Sequence, residues 1–134
     1  MTVMTIEMKD HVALLTLRRP QVMNALNYEL YMALEDAVRD SEARVIVITG
    51  EGRGFCTGDD VKEILSQKAK GPAEMKARGR RTGGLTPAAD ALLYTDIPVI
   101  AAVNGFALGA EADVAMASDF ILMAGSAQIG LPEV

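Results

Sequence analysis

Two glycines in this chain stand where backbone N–H groups are left to meet something other than the protein. Residues 99–103, Val-Ile-Ala-Ala-Val, form a short β-branched apolar run that predicts a buried strand, and Asn104-Gly105 favours a tight turn after it. Gly109 then precedes Ala110, Glu111, Ala112 and Asp113, an Ala-containing stretch with acidic residues in its first turn that predicts a helix over 110–117. The second place is Phe55-Cys56-Thr57-Gly58-Asp59-Asp60, which follows an apolar run at 45–49 and leads into a short helical pattern at 61–65. A strand, a glycine turn and a helix start aim unpaired N–H donors at one point, and such a point holds negative charge. That charge is either a bound phosphate or an oxyanion developing on a reacting carbonyl. Neither turn has the G-x-x-x-x-G-K pattern of a nucleotide-binding loop, which disfavours the phosphate.

Other reactive side chains are poorly placed for chemistry. Cys56 has no base near it in sequence and reads as buried filler. His11 falls at the start of a strand and is assigned no role. One cysteine excludes an internal disulfide, and one histidine beside it leaves no zinc cluster, so no metal is expected. Positive charge gathers between residues 62 and 81, with Lys62, Lys68, Lys70, Lys76, Arg78, Arg80 and Arg81 against Glu63 and Glu74. That segment is either a solvated helical excursion or a flap, hinged at Gly83-Gly84, whose cations meet a phosphorylated ligand.

The elements that must carry these turns alternate. Residues 3–8 and 11–17 predict a β-hairpin turning at Lys9-Asp10. Asn24 precedes a helical pattern over 25–40, in which Leu26, Leu30, Leu34, Ala37 and Val38 share a face. The continuous apolar run at 45–49 predicts a strand buried on both faces. Thr86-Pro87 reads as cap and first residue of a helix reaching Tyr94, residues 119–124 as another buried strand, and 127–130 as a short extended piece. Strand and helix in alternation define an α/β fold. At 134 residues, half of them apolar, the chain suggests one domain with a real core. Its net charge of -5 argues against a nucleic-acid partner, and charged residues break the apolar N-terminal run, so neither a signal peptide nor a membrane span is expected and the cytoplasm is the expected setting.

With both turns in view the chain resembles the first half of a crotonase, the enoyl-CoA hydratase/isomerase superfamily. The matching pieces are Arg19-Pro20 through Asn24-Ala25-Leu26, then Phe55 through Asp60, then Pro98 through Gly109, then Ser118-Asp119, and finally Leu131-Pro132-Glu133. They fall in the family's order and at its spacing. The resemblance implies the ClpP/crotonase spiral of repeated ββα turns. It also implies that residues 1–134 are the N-terminal part of one such domain, incomplete before the C-terminal helical region, since it covers all of this chain and about half of a typical relative.

The family's shared chemistry is stabilisation of an enolate derived from an acyl-CoA thioester. By position, the resemblance assigns the oxyanion-holding N–H groups to Asp59 and Ala110 and the paired hydratase acids to Asp113 and Glu133. It assigns CoA contacts to Met23, Ala25 and Leu26 at the adenine end, and to Thr57, Gly58, Asp60 and Val61 on the pantetheine side, with Lys62 toward a phosphate. The function implied is hydration of a 2-enoyl-CoA, with enoyl- or dienoyl-CoA isomerisation and a non-catalytic CoA-binding or assembly fragment as alternatives. CoA is part of the substrate, so no separate cofactor is implied, and the partner expected is a second copy of the chain, relatives forming trimers or dimers of trimers. The chain departs from the family where Ala110 and Glu111 replace glycines and where Asp59 replaces a small or apolar residue. A carboxylate at either place would oppose an enolate if it faced inward.

Overall fold

The computed structural model describes residues 2–60, 86–109 and 112–130, together with residues 62, 73 and 77. The chain opens with β1 (Met4–Lys9) and β2 (Val12–Leu17), paired antiparallel from Met4↔Leu17 to Lys9↔Val12. The two residues between them, Asp10 and His11, both have positive φ. The turn is therefore Asp10-His11, one residue later than the sequence predicts, because a two-residue hairpin loop that follows the strand twist needs two left-handed residues.

A 3₁₀ turn at Pro20–Val22 leads to α1 (Tyr28–Arg39). The helix starts later than the sequence predicts, because its cap is Asn27, whose side chain accepts a hydrogen bond from the Leu30 N–H at 2.9 Å. Asn24 is instead left-handed, φ 59°, and buried. After β3 (Val45–Gly50) and β4 (Gly54–Cys56) comes α2 (Pro87–Tyr94), with Thr86 as its cap and Pro87 in its first turn, as expected. Then follow β5 (Val99–Val103), β6 (Phe106–Leu108), α3 (Ala112–Met116), β7 (Phe120–Met123) and β8 (Gln128–Gly130). The expected short helix at 61–65 and the basic segment at 62–81 lie outside the described residues, apart from positions 62, 73 and 77, which are helical and exposed.

The strands make two sheets. One has the order β1-β2-β3-β5-β7, parallel from β2 onward, and the other is a parallel β4-β6-β8 sheet. Each pass of the chain lays one longer strand in the first sheet and a three-residue strand in the second: β3 then β4, β5 then β6, β7 then β8. Helix α2 follows the first of these sheet changes and α3 the second, which is the ββα spiral implied by the resemblance. The second sheet is absent from the sequence reading, because three residues show no periodicity.

The core lies between the first sheet and the helices. Leu15, Leu17, Ile46, Ile48, Val99, Ala101 and Val103 meet Leu30, Leu34 and Val38 of α1 and Ala88, Ala91 and Leu92 of α2. Burial alternates along β2, β3 and β5, so Val45 and Val47 are only half-buried, where the sequence predicts burial on both faces. Arg39 joins the two helices, donating to Glu35 and Asp90, and hydrogen bonding to Asp90 first and Glu35 second holds its guanidinium pKa above the ordinary value. The strand at β7 is the larger correction. Phe120, Ile121, Leu122 and Met123 are all exposed, because β7 is the last strand of its sheet and only β5 pairs with it. Asp119 fixes it there, with its carboxylate accepting from the Val99 N–H at 2.8 Å and its own N–H donating to the Val99 carbonyl at 2.9 Å.

The sheet change after β5 depends on Gly105. A Cβ there would sit 1.8 Å from the Arg53 carbonyl oxygen, a backbone atom that cannot yield. Gly105→Ala is expected to destabilise the fold by about 3 kcal/mol through overpacking, whereas Gly125→Ala, with nothing within 4 Å of its Cβ, should stay within about 0.5 kcal/mol of the parent. Urea unfolding midpoints of the two variants check this.

Candidate active site

The site begins at the turn between β3 and β4, where the chain leaves one sheet for the other. Two asparagine side chains hold that turn. Asn24 Nδ2 donates to the carbonyls of Glu51 (3.0 Å) and Gly54 (2.8 Å), while its Oδ1 accepts from the Arg19 N–H at 2.7 Å. Asn104 Nδ2 donates to Gly52 at 2.9 Å and, more weakly, to Gly54 at 3.4 Å, and its Oδ1 accepts from the Gly50 N–H. Gly50 and Gly54 lie against these clamps, and a Cβ on Gly50 would come 2.7 Å from Asn24 Nδ2. The left-handed backbone at Met23 and Asn24 is what turns the Asn24 amide inward.

This clamp brings residues 22–26 alongside residues 54–60. Thr57 Oγ1 donates to the Met23 carbonyl at 3.2 Å, Cys56 Sγ to the Asn24 carbonyl at 3.0 Å, and Leu26 forms a parallel bridge with Asp59. Arg19, almost fully buried, completes the joint: one guanidinium nitrogen reaches the Ala25 carbonyl and the other pairs with the Asp60 carboxylate at 3.0 Å. Met23, Ala25, Leu26, Thr57, Gly58, Asp59 and Asp60 are thus neighbours. Leu26 and Ala25 present buried side chains, Met23 and Thr57 are half-buried, and Lys62 is exposed. Val61, Ala110 and Glu133 lie outside the described residues, and Asp113 falls within α3.

The Leu26–Asp59 bridge sets the direction of a donor. Leu26 N–H donates to Gly58 and the Asp60 N–H donates to Leu26, at 2.8 and 2.9 Å. In a parallel ladder the residue between two such bonded neighbours turns its own N–H the other way. The Asp59 N–H is therefore directed away from Leu26. Strands β4 and β6 pair Cys56 with Ala107, and two residues beyond each comes a glycine with positive φ, Gly58 at 110° and Gly109 at 68°. Two adjacent parallel strands thus end in equivalent left-handed turns. A positive φ interrupts the alternation of N–H directions along a strand, which is how amides come off a ladder to face a ligand.

Asp59 carries its carboxylate out of this plane. Tyr31, in the first turn of α1 and buried, donates its hydroxyl hydrogen bond to Asp59 Oδ1. Tyr31 and Arg19 were not visible as site residues in the sequence. Tyr31 is not among the residues the sequence places on the shared helix face, and a buried arginine has no local signature. Among the described residues no group of three or more His, Cys, Asp or Glu side chains is placed to hold a metal, and no helix is long and apolar enough to cross a membrane. A cleft of about 590 Å³ between β1 and α1 is lined by Met4, Ile6, Met8, Ala33 and Ala37 with Asp36, Asp40 and Glu42. It shares no residue with the glycine turns.

Paired sheets joined by glycine turns define an α/β protein of the crotonase fold. The comparison with known proteins agrees: residues 7–134 match the model of the enoyl-CoA hydratase/isomerase family, and the chain belongs to that family. It is 37% identical to a crotonyl-CoA hydratase of Syntrophomonas wolfei, covering 96% of this chain and 49% of that protein. It is 36% identical to a 2,3-dehydroadipyl-CoA hydratase of Escherichia coli, covering 51% of it. Among solved structures it superposes on the enoyl-CoA hydratase EchA8_6 of Mycobacterium marinum with a TM-score of 0.82 at 30% identity, covering 98% of this chain and 62% of that one. The enoyl-CoA hydratase of Bacillus anthracis gives 0.80 at 30% identity, with 98% and 51% covered. The chain spans about half the length of the curated relatives it matches.

The Arg19–Asp60 pair is the joint on which the donor's direction rests, with side chains 10% and 13% exposed. Asp60→Asn is expected to cost about 3 kcal/mol by removing one charge of a buried pair, and pairing it with Arg19→Met should recover part of the loss. Chemical denaturation of the single and double variants checks both.

Proposed function

We propose that this chain forms the oxyanion-binding half of an enzyme that adds water to a 2-enoyl-CoA. The observation that supports the reading is the Asp59 N–H turned away from Leu26, just past one of two neighbouring strands that are each followed by a positive-φ glycine. The thioester oxygen of the substrate accepts from this N–H and from the amide of Ala110, the residue after Gly109. As water attacks C3, the C2–C3 π electrons move toward the thioester and negative charge builds on its oxygen. Fixed donors stabilise that charge without reorganising, each contributing roughly 3 kcal/mol to the transition state. One proton of the water passes to a carboxylate, Asp113 or Glu133, and C2 receives a proton in return, so that one water adds across one double bond. The segment from Met23 to Leu26, packed on Thr57 and Gly58, forms the wall for the adenine end of CoA, with Thr57, Gly58, Asp60 and Val61 assigned to the pantetheine side and Lys62 to a phosphate.

A second reading has support of its own. The exposed side chains of Phe120, Ile121, Leu122 and Met123 form an apolar edge suited to an assembly partner, including a second copy in a homo-oligomer. In that reading the chain keeps CoA affinity without turnover.

Loss of the conjugated-thioester absorbance of a short 2-enoyl-CoA tests the first reading. Turnover is expected, with Glu133→Gln lowering kcat by about 100-fold or more. Turnover unchanged by that substitution counts against the proposed acid, while calorimetric binding of acetyl-CoA with no turnover at high protein concentration favours the second reading.

A further inference from the structure

Asp59 poses a problem for the proposed chemistry: the residue that offers its N–H to an oxyanion also carries a carboxylate one bond from the same Cα. Asp59 is exposed at the surface of this joint, and a carboxylate that swings toward the donor face of its own amide places a negative charge where negative charge must develop, which like-charge repulsion opposes. The structure contains an answer. Ladder hydrogen bonds run in the plane of a sheet while side chains leave it, and the Asp59 side chain leaves toward α1, where the Tyr31 hydroxyl donates to its Oδ1. The Tyr31 ring is 7% exposed and packs in the core formed with Leu30 and Leu34. The helix that carries it is fixed by the Asn27 cap four residues earlier. The hydroxyl is therefore anchored, and the carboxylate is drawn to it.

Resting on the hydratase reading above, we propose that Tyr31 is a positioning residue: its hydroxyl holds the Asp59 carboxylate off the donor face of the Asp59 amide and so preserves the anion-binding character of the pocket. In this role the Tyr31 hydroxyl acts through Asp59. The role belongs to this chain's own pair of residues, since a side chain without charge at position 59 would need no such restraint.

The pair separates into charge and packing by a double-variant cycle. Tyr31→Phe keeps the ring and deletes the hydroxyl, and Asp59→Asn keeps the shape and deletes the charge. A 3-oxoacyl-CoA serves as probe, because its enolate absorbs in the near ultraviolet and forms on the protein in proportion to oxyanion stabilisation, with no water addition required. Tyr31→Phe is expected to lower the enolate absorbance of the bound probe, and kcat on a 2-enoyl-CoA, by about tenfold, with KM changed by less than about twofold, an effect smaller than deleting a whole donor. In the Asp59→Asn background the same substitution should change either quantity by less than about twofold. A tenfold loss that persists in the Asp59→Asn background makes Tyr31 merely structural and overturns the proposal. So does an unchanged absorbance in Tyr31→Phe, or the absence of any enolate on the unsubstituted chain. Enolate formation without enoyl-CoA turnover defeats the hydratase reading alone, and the positioning role of Tyr31 then stands or falls on the absorbance.

Discussion

The structure depends on the carbonyl groups of one short turn, residues 50–54, being satisfied by two asparagine side chains that arrive from opposite directions in sequence. Every sheet change in the spiral carries the backbone across a gap where no ladder partner exists, and buried carbonyls without donors are costly. Asn24 and Asn104 supply those donors at the β3–β4 crossing. Their amides also take up the N–H groups of Arg19 and Gly50, so four stretches of chain meet at one place. The glycines there are a consequence. A side chain at Gly50 would meet Asn24 Nδ2, one at Gly54 would meet Met23, and one at Gly105 would meet the Arg53 carbonyl.

From this joint the site follows by register alone. Holding residues 22–26 beside 54–60 fixes Leu26 opposite Asp59, and that bridge decides which way the Asp59 amide faces. Pairing Cys56 with Ala107 brings Gly58 and Gly109 to equivalent positions on neighbouring strands. In the proposed function the oxyanion is met by main-chain groups, which sequence change at the side chains leaves intact. What such change alters is the charge beside the pocket, and here a tyrosine of the neighbouring helix meets it.

The asymmetry of the first sheet has the same origin. At one edge β1 closes the sheet through an antiparallel hairpin, and α1 and α2 cover the face behind β2, β3 and β5. At the other edge β7 exposes four consecutive large apolar side chains. An edge of that kind carries a row of unpaired backbone groups as well as apolar surface.

The sequence by itself determined the elements whose signals are local. Alternation in β1, the Val- and Leu-rich run of β2, the Thr86-Pro87 start of α2, the apolar run of β5 and the turn at Asn104-Gly105 are each readable within a few residues. The ordered motifs from Arg19 to Glu133 were enough to name the fold. Tertiary structure alone decided the rest. It gave Asn24 to the turn and the cap to Asn27, made three-residue strands of 54–56 and 106–108, left β7 uncovered, and joined Arg19 to Asp60 and Tyr31 to Asp59. The physical reason is range. Periodicity and turn chemistry act between near neighbours, whereas the direction of an amide and the partner of a buried charge are set by strand register between residues tens of positions apart.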